Sequence, residues 1–180
     1  MQTPITLARA LAPRLAGLCW GIGGSTLLQQ LELVEQPHDL DIITSAQDFA
    51  AVCAQLAAIG SAIPPPADPR YATRHAASFV MADGLQVDVL AELALRLDKG
   101  VFHWPFDAGA IREADGLPWC LPEDWALLYR LSGCDEQVEA LDEWLNEHGV
   151  QHPQRLAANL FAGYPEQLLR PTLPWWPWDE

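Results

Sequence analysis

Two aspartates, Asp39 and Asp41, lie one residue apart in an otherwise apolar run. Leu40, Ile42 and Ile43 predict a β-strand here, and side chains two positions apart in a strand project from the same face. Both carboxylates would then converge on one point. Like charges this close repel each other unless a positive charge lies between them. The pair therefore indicates a site for a divalent metal ion, which carboxylate oxygens bind well.

Asp88 is a third candidate ligand, between Val87 and Val89 in a second predicted strand. Burying an unpaired carboxylate is costly or raises its pKa until it is neutral, and a shared metal ion removes that cost. Each aspartate also has a simpler explanation. Asp39 would cap a turn, Asp41 would pair with an arginine, and Asp88 would lie on the solvent face of an edge strand.

Gly23, Gly24 and Ser25 lie between a predicted strand and a predicted helix, a short way before the aspartate pair. Exposed amides at the start of a helix, together with the Ser25 hydroxyl, can hold phosphate oxygens. Glycine is also common in such turns for backbone reasons alone. The functional interpretation of these glycines therefore depends on the acids that follow them in the chain.

The composition limits the classes of protein and partner. The chain has 180 residues, of which 50% are hydrophobic, enough for one well-filled core. Its formal net charge of -14 opposes binding to long nucleic acids, although metal ions could neutralise a small anion such as a nucleoside triphosphate. The four cysteines show no C-x-x-C spacing, which favours reduced thiols over a disulfide frame or a zinc site. No segment has the apolar length of a membrane span, so we expect a soluble, cytoplasmic protein.

Hydrophobic periodicity predicts alternating strands and helices along the first half of the chain. We expect Ser25 or Thr26 near the N-cap of the second helix, a loop over the proline-rich residues 61–70, and a hairpin around Asp83-Gly84. Residues 97–120 read as irregular or weakly stranded. Helices are predicted at 4–15, 25–33, 45–60, 122–133, 135–149 and 152–164, and strands within 17–24, 38–44, 75–82 and 85–93.

In their order and spacing these residues resemble the minimal nucleotidyltransferases of the DNA polymerase β superfamily, which include aminoglycoside and lincosamide adenylyltransferases and toxin-type proteins. The family motif is a glycine-glycine-serine turn, a helix, an acid-x-acid strand and a third acid on a later strand. Here the matching residues are Gly23-Gly24-Ser25, Asp39-Leu40-Asp41 and Asp88. The run PHDLDI is similar to the subgroup that modifies small molecules, and the segment opening with Pro122 resembles the helix that follows the core in that subgroup.

The resemblance implies an α+β fold, α/β-like, in which helices flank a mixed β-sheet and further helices follow it. A nucleotidyltransferase-like core would span residues 1–120, a C-terminal helical extension packed on that core 121–170, and a Trp/Pro-rich tail 171–180. ATP or another triphosphate would lie between the glycine turn and the acids, with two Mg²⁺ ions about 3.5 to 4 Å apart. Gly23, Gly24 and Ser25 would bind the nucleotide.

The same resemblance implies roles for the acids. Asp39 and Asp41 would bridge the metal ions, and Asp88 would hold the catalytic metal and accept the proton of the attacking hydroxyl. The expected reaction moves a nucleoside monophosphate, foremost AMP, from a triphosphate to a hydroxyl of a small molecule or a protein. The alternative is an inactive binding or regulatory module of the same fold, including a member of a toxin-antitoxin pair.

The distribution of charge bears on both alternatives. Relatives often carry a basic residue shortly before the acid pair, where this chain has Glu35 and Gln36. The loss favours the inactive module and leaves Arg70, Arg74 and Arg130 as candidate helpers. The helices between residues 123 and 147 are acidic and would favour a cationic acceptor if they bordered the site, although a solvated helix face explains the same charges.

Several remaining residues have a structural explanation and a functional one. We expect His38 to orient its turn or hydrogen-bond a carboxylate rather than ligate metal. Phe102, Trp104 and Phe106 are expected to pack a loop onto the core, with stacking on a substrate ring as the alternative. The tail is expected to lie over the protein's own apolar surface, with a partner contact as the alternative.

Overall fold

A computed structural model describes residues 2–164 and 173–175, and within them the chain forms a mixed β-sheet with helices around it and after it. The predicted α+β class, with flanking and C-terminal helices, is confirmed. The helices are α1 (Pro4–Leu11), α2 (Gly24–Gln30), α3 (Phe49–Ala57), α4 (Pro122–Ser132), α5 (Asp135–His148) and α6 (Gln154–Phe161), with a short 3₁₀ turn at Ala108–Ala110. The strands are β1 (Trp20–Gly23), β2 (Leu40–Thr44), β3 (Gly60–Ile63), β4 (His75–Met81), β5 (Gln86–Ala91), β6 (Ala94–Leu97), β7 (Gly100–His103), β8 (Ile111–Ala114) and β9 (Leu117–Cys120).

The strand carrying the aspartate pair lies at the centre of the sheet. The seven-stranded order is β3-β4-β5-β2-β1-β9-β8, and β6 pairs with β7 in a separate two-stranded sheet. Strand β2 is parallel to β5 and antiparallel to β1, while β1 is parallel to β9. Leu40, Ile42 and Ile43 of β2 are fully buried. The centre of the core therefore fixes the position of β2 between the glycine turn and the hairpin.

The hairpin predicted around Asp83-Gly84 is confirmed, since β4 and β5 pair antiparallel on either side of it. Gly84 has a φ of 90°, which glycine adopts without strain. Burial alternates along β5, with Val87 and Val89 buried and Asp88 partly exposed between them. This alternation turns Asp88 toward the opposite face from its apolar neighbours.

Two parts of the chain differ from the prediction. The expected loop at 61–70 was wrong at its start, because residues 61–63 belong to the edge strand β3, which ends where the prolines begin. The interval expected to be irregular contains β9, which is buried along its whole length beside β1. Burial on both faces removes the alternation that marks a strand, and Pro118 within β9 disguises it further.

The three C-terminal helices are joined by one buried ion pair and one half-buried ion pair. Asp124 of α4 is fully buried and accepts hydrogen bonds from Arg155 Nε at 3.0 Å and Asn159 Nδ2 at 2.8 Å, both on α6. Arg130 of α4 pairs with Asp142 of α5 at 2.6 Å. Helix α4 also contacts β6, so the helices pack on the strands. The domain limits at 120 and 170 stay a proposal.

Part of the Trp/Pro-rich tail is described. Leu173 and Trp175 are buried, and Trp175 Nε1 donates a hydrogen bond to Asp142 Oδ1 at 2.7 Å. These residues lie against the protein's own surface, whereas Trp176 and Trp178 lie outside the described residues. The four cysteines are free thiols. Within the described ranges, every helix is too short or too polar to cross a lipid bilayer.

The Asp124–Arg155 pair gives a test of how α6 is attached. Arg155→Ala leaves the Asp124 charge buried without its cation, so we expect the free energy of unfolding in urea to fall by about 3 kcal/mol. The double variant Asp124→Ala/Arg155→Ala should lose less than the sum of the two single variants, because it removes both charges. Exposed Arg9→Ala is the control and should change stability by less than about 0.5 kcal/mol. Additive losses would contradict the buried pair.

Candidate active site

The three aspartates predicted from the sequence lie together in the fold. Asp41 of β2 and Asp88 of β5 are paired neighbours in the parallel register, and Asp39 immediately precedes β2. One carboxylate oxygen of each lies within 4.8 Å of the others. Since β2 and β5 are adjacent and in register, the backbone alone brings Asp41 and Asp88 side by side. A cluster of this kind from three separate positions is an oxygen-rich site for a cation.

The glycine turn lies directly against the acids. Gly23, the last residue of β1, pairs with Asp41, and Gly24 follows with a φ of 57°. A Cβ atom on Gly24 would overlap Asp41 Oδ2, and one on Gly23 would overlap the Trp125 ring of α4. Both glycines are therefore required by close packing, and Gly24 also by its backbone conformation.

Ser25 and Thr26 hold Asp39 rather than capping the helix. Helix α2 begins at Gly24 with Gly23 as its N-cap, so Ser25 and Thr26 lie in its first turn, near the N-cap as expected but not at it. Ser25 Oγ donates to Asp39 Oδ1 at 3.3 Å and accepts from the His38 amide at 3.2 Å, while Thr26 Oγ1 donates to the Asp39 carbonyl at 2.8 Å. The start of α2 thus fixes the approach of the chain to β2. His38 takes part through its backbone.

The carboxylates repel one another in the metal-free protein. Burial, followed by the charges of Asp39 and Asp88, raises the pKa of Asp41 well above its ordinary value. Burial and the charge of Asp88 also raise the pKa of Asp39, although the Ser25 hydroxyl opposes the shift. None of the ion pairs within residues 2–164 and 173–175 involves these three acids. The donor set fits a divalent cation. Its positive charge would offset the cost of burying the carboxylates and their mutual repulsion.

Asp88 is held by two residues that the sequence analysis missed. The buried Ser78 hydroxyl, paired across from it on β4, donates to Asp88 Oδ1. Gln86 Nε2 lies 3.2 Å from both Asp88 oxygens. These donors fix the position of the carboxylate. The contact to Ser78 depends on the register of the hairpin, which the sequence pattern leaves open, whereas Gln86 lies two positions from Asp88 on the same strand face.

A cleft of about 830 Å³ opens beside Asp41 and Asp88. Its walls come from strands β4 and β5, from Arg96 of β6 and from the proline-rich segment before β4. A smaller cavity of about 140 Å³ shares Asp41, Tyr71 and Leu90 with the cleft and reaches Trp125 and Tyr129 of α4. The larger cleft is lined by Asp41, Pro65, Pro66, Ala67, Asp68, Pro69, Tyr71, Thr73, Ala76, Ala77, Ser78, Asp88, Leu90 and Arg96.

The arginines named as candidate helpers are each engaged with an acid. Arg70 pairs with Asp68 at 2.6 Å, and Arg74 lies 3.5 Å from Glu92. Arg130 has its partner on α5, as described above. The basic residue that does line the cleft is Arg96, which the sequence analysis missed because nothing in its neighbourhood distinguishes it from a surface arginine.

The acidic helices do not border the cleft. None of the acids between Glu123 and Glu147 is among its lining residues. Two of them are buried in contacts of their own, since Glu123 accepts from the amides of Gln151 and His152 and Asp124 is held by α6. The condition under which these helices favour a cationic acceptor is therefore not met.

The aromatic residues before the 3₁₀ turn pack into the core, as expected. Phe102 and Trp104 are 1% and 3% exposed. The Trp104 ring lies 5.4 Å from Phe106 and 6.4 Å from Trp125, measured between centroids. The aromatic cluster joins this segment to α4.

Solved structures share this arrangement of strands and helices. A Thermotoga maritima protein, TM1012, assigned as a nucleotidyltransferase, is 23% identical, with a TM-score of 0.61 over 82% of this chain and 97% of that one. ANT(2'')-Ia, solved in complex with adenylyl-2''-tobramycin, is 12% identical, with a TM-score of 0.56 over 88% of this chain and 94% of that one. This chain has the nucleotidyltransferase fold.

The nucleotidyltransferase fold is thus common to this chain and to proteins of very different sequence. The solution structure of ANT(2'')-Ia, an antibiotic-resistance factor, gives a TM-score of 0.52 at 13% identity over 88% of each chain. No protein-family model and no curated protein matches the sequence. The resemblance inferred from the glycine turn and the three aspartates is confirmed at the level of the fold.

Repulsion within the aspartate cluster predicts an unusual effect of removing one acid. Because the pKa of Asp41 is raised by folding, the stability of the metal-free protein falls as the pH rises through that pKa. Asp41→Asn should raise the free energy of unfolding by on the order of 1 kcal/mol at pH 8. The gain should shrink as the pH is lowered toward about 3.9, the ordinary aspartate pKa, because the unfolded chain then also begins to bind the proton.

Urea unfolding in EDTA between pH 8 and pH 5.5 measures this gain. Asp98→Asn, which removes an exposed acid outside the cluster, is the matched control and should leave stability within about 0.5 kcal/mol at each pH. A loss of stability in Asp41→Asn at pH 8 would argue against a repulsive cluster.

The closeness of Gly24 to Asp41 can be tested separately. Gly24→Ala and Gly84→Ala both place alanine at positive φ, which costs about 1 to 2 kcal/mol. Only the first also displaces a carboxylate, because nothing lies within 4 Å of a Cβ on Gly84. We expect Gly24→Ala to lose at least about 1 kcal/mol more in urea unfolding. Equal losses would show that the turn has room for a side chain.

Proposed function

We propose that the protein is a metal-dependent nucleotidyltransferase that moves a nucleoside monophosphate, foremost AMP, from a triphosphate to a hydroxyl group. The observation that carries the proposal is the meeting of Asp39, Asp41 and Asp88 beside the glycine turn in a nucleotidyltransferase fold. The raised pKa values of Asp39 and Asp41, and the lack of a basic partner for the three acids among the described residues, support a site that works with a bound cation.

The residues divide between binding and chemistry. Asp39, Asp41 and Asp88 would hold two Mg²⁺ ions, which polarise the α-phosphate and neutralise the leaving pyrophosphate when bound. Amides of the turn at Gly23 and Gly24 would bind phosphate oxygens of the triphosphate. Ser25 would assist there, although its hydroxyl also keeps Asp39 in position.

The proposed transfer is a single displacement at the α-phosphorus. The acceptor oxygen forms a bond to the α-phosphorus, the bond from that phosphorus to the pyrophosphate oxygen breaks, and pyrophosphate leaves. Asp88 accepts the proton of the attacking hydroxyl, a role that needs an ionised, fixed carboxylate. Ser78 and Gln86 fix this carboxylate in position by donating hydrogen bonds to it.

The cleft beside Asp88 supports a small-molecule acceptor over a protein. Its volume of about 830 Å³ lies within the range typical of small-molecule sites, about 300 to 1,000 Å³. The solved complex of a protein with this fold contains an adenylylated small molecule. The acceptor therefore has room to bring a hydroxyl to Asp88 from within the cleft.

Thermal unfolding with ATP and Mg²⁺ tests the binding half of this function. At a ligand concentration one hundred times the Kd, we expect about 2.7 kcal/mol of stabilisation, and hence a rise in Tm of about 5 to 10 °C. The rise should require the metal and should disappear in Asp41→Asn, each variant being compared with its own ligand-free Tm. Asp98→Asn is the control and should keep it.

Turnover needs a second measurement. Pyrophosphate released during incubation with a panel of hydroxylated acceptors, and absent in Asp88→Asn, would establish transfer. A metal-dependent rise in Tm without pyrophosphate on any acceptor would favour the inactive nucleotide-binding module instead. The absence of any metal-dependent rise would contradict both functions.

A further inference from the structure

The cleft lies on one side of the acids and the glycine turn on the other. Along the sheet, Gly23 belongs to β1, Asp41 to the neighbouring β2 and Asp88 to β5. The cleft extends from Asp41 and Asp88 toward β4, and Arg96 of β6 also lines it. A ligand in the cleft would thus approach the acids from the side away from the turn.

This placement identifies which substrate the cleft holds, if the proposed function is correct. In transfer at phosphorus the attacking and leaving oxygens lie roughly in line. With the pyrophosphate at the glycine turn, the attacking hydroxyl must enter from the far side of the acids, beside Asp88. The cleft is the space that opens there, so it is the acceptor site.

The lining of the cleft is mostly apolar. Pro65, Pro66, Pro69 and Leu90 form much of the wall, with three alanines beside them. The acids Asp41 and Asp88 belong to the carboxylate cluster, where bound metal would neutralise them. The apolar part of the lining therefore suits an apolar or aromatic body.

The other two charged residues of the lining, Asp68 and Arg96, differ in whether they are paired. Asp68 is neutralised by Arg70, which donates to it through Nε at 3.1 and 3.0 Å and through a terminal nitrogen at 2.6 Å. Arg96 is the one basic residue among the described residues of the lining, and it is exposed. Within residues 2–164 and 173–175 its side chain takes part in no ion pair. Arg96 thus gives the cleft a guanidinium that no described acid neutralises through an ion pair.

We infer that the acceptor is a hydroxylated small molecule with an apolar body and one anionic group, and that Arg96 binds this anionic group in the cleft. The guanidinium matches the planar geometry of a carboxylate or a phosphate. A polycationic aminosugar fits poorly, because its ammonium groups would meet prolines, Leu90 and another cation. This inference rests on the proposed function for the position of the hydroxyl at Asp88.

A matched set of ligands tests the charge preference. The compounds 4-(hydroxymethyl)benzoate, 4-(hydroxymethyl)benzamide and 4-(aminomethyl)benzyl alcohol share a ring and a hydroxyl but end in an anion, a neutral amide and a cation. Each is also used in a biphenyl length, so that the distance from hydroxyl to end group varies. Tobramycin serves as the polycation. Affinities are measured by calorimetry on the full chain with Mg²⁺ and a non-hydrolysable ATP analogue.

We expect a carboxylate of the set to bind at least about tenfold more tightly than its ammonium counterpart and than tobramycin, as a charge-assisted hydrogen bond allows. Arg96→Gln should weaken that carboxylate about tenfold, and Arg96→Glu should reverse the preference toward the ammonium compound. Arg9→Gln, an exposed arginine on α1, is the control and should leave all affinities unchanged.

Two outcomes would overturn the inference while leaving the proposed function intact. The first is binding of the ATP analogue with no carboxylate bound more tightly than the cations, including the case in which no carboxylate binds. The second is an unchanged carboxylate affinity in Arg96→Gln. Failure of the ATP analogue to bind in the presence of Mg²⁺ contradicts the proposed function itself and is measured first, without any acceptor.

Discussion

Repulsion between Asp39, Asp41 and Asp88 is the physical constraint around which the site is organised. Their oxygens lie within 4.8 Å of one another, and burial raises the pKa of Asp39 and Asp41. A fold tolerates such a cluster only where other interactions hold the groups in place. Here the central strands hold Asp41 and Asp88, while Ser25 and Thr26 hold Asp39.

The order of the strands places the glycine turn and the cleft on opposite sides of the acids. The glycine turn of β1 lies on one side of the acids, where the backbone approaches Asp41 closely. The hairpin of β4 and β5 lies on the other side, where Ser78 fixes Asp88 and the cleft begins. If the proposed function is correct, this single sheet sets the direction in which the two substrates would face each other.

The sequence predicted the parts of the site that depend on local pattern. Asp39 and Asp41 share a strand segment, Gly23 and Gly24 share a turn, and the hairpin around Gly84 carries Asp88. The resemblance to nucleotidyltransferases then supplied the arrangement of these pieces, which the solved structures confirm as a fold. Residue types at fixed spacing were sufficient for this much, because each element forms from its own neighbours.

The contacts that the sequence did not predict depend on register between distant segments. Ser78 meets Asp88 only because β4 and β5 pair in one of several possible registers. Strand β9 was not predicted as a regular strand because it is buried on both faces and contains Pro118. Arg96 lines the cleft through the pairing of β6 with β7, at some distance along the chain from the acids.

The Trp125 ring of α4 occupies the space above Gly23 where a side chain would otherwise lie. Helix α4 is in turn joined to α6 by Asp124 and to α5 by Arg130. The C-terminal helices thus buttress the turn proposed to bind phosphate, although they contribute no acid to the cluster. A chimera that took its helical part from another protein of this fold would keep a competent turn only if an equivalent ring came with it.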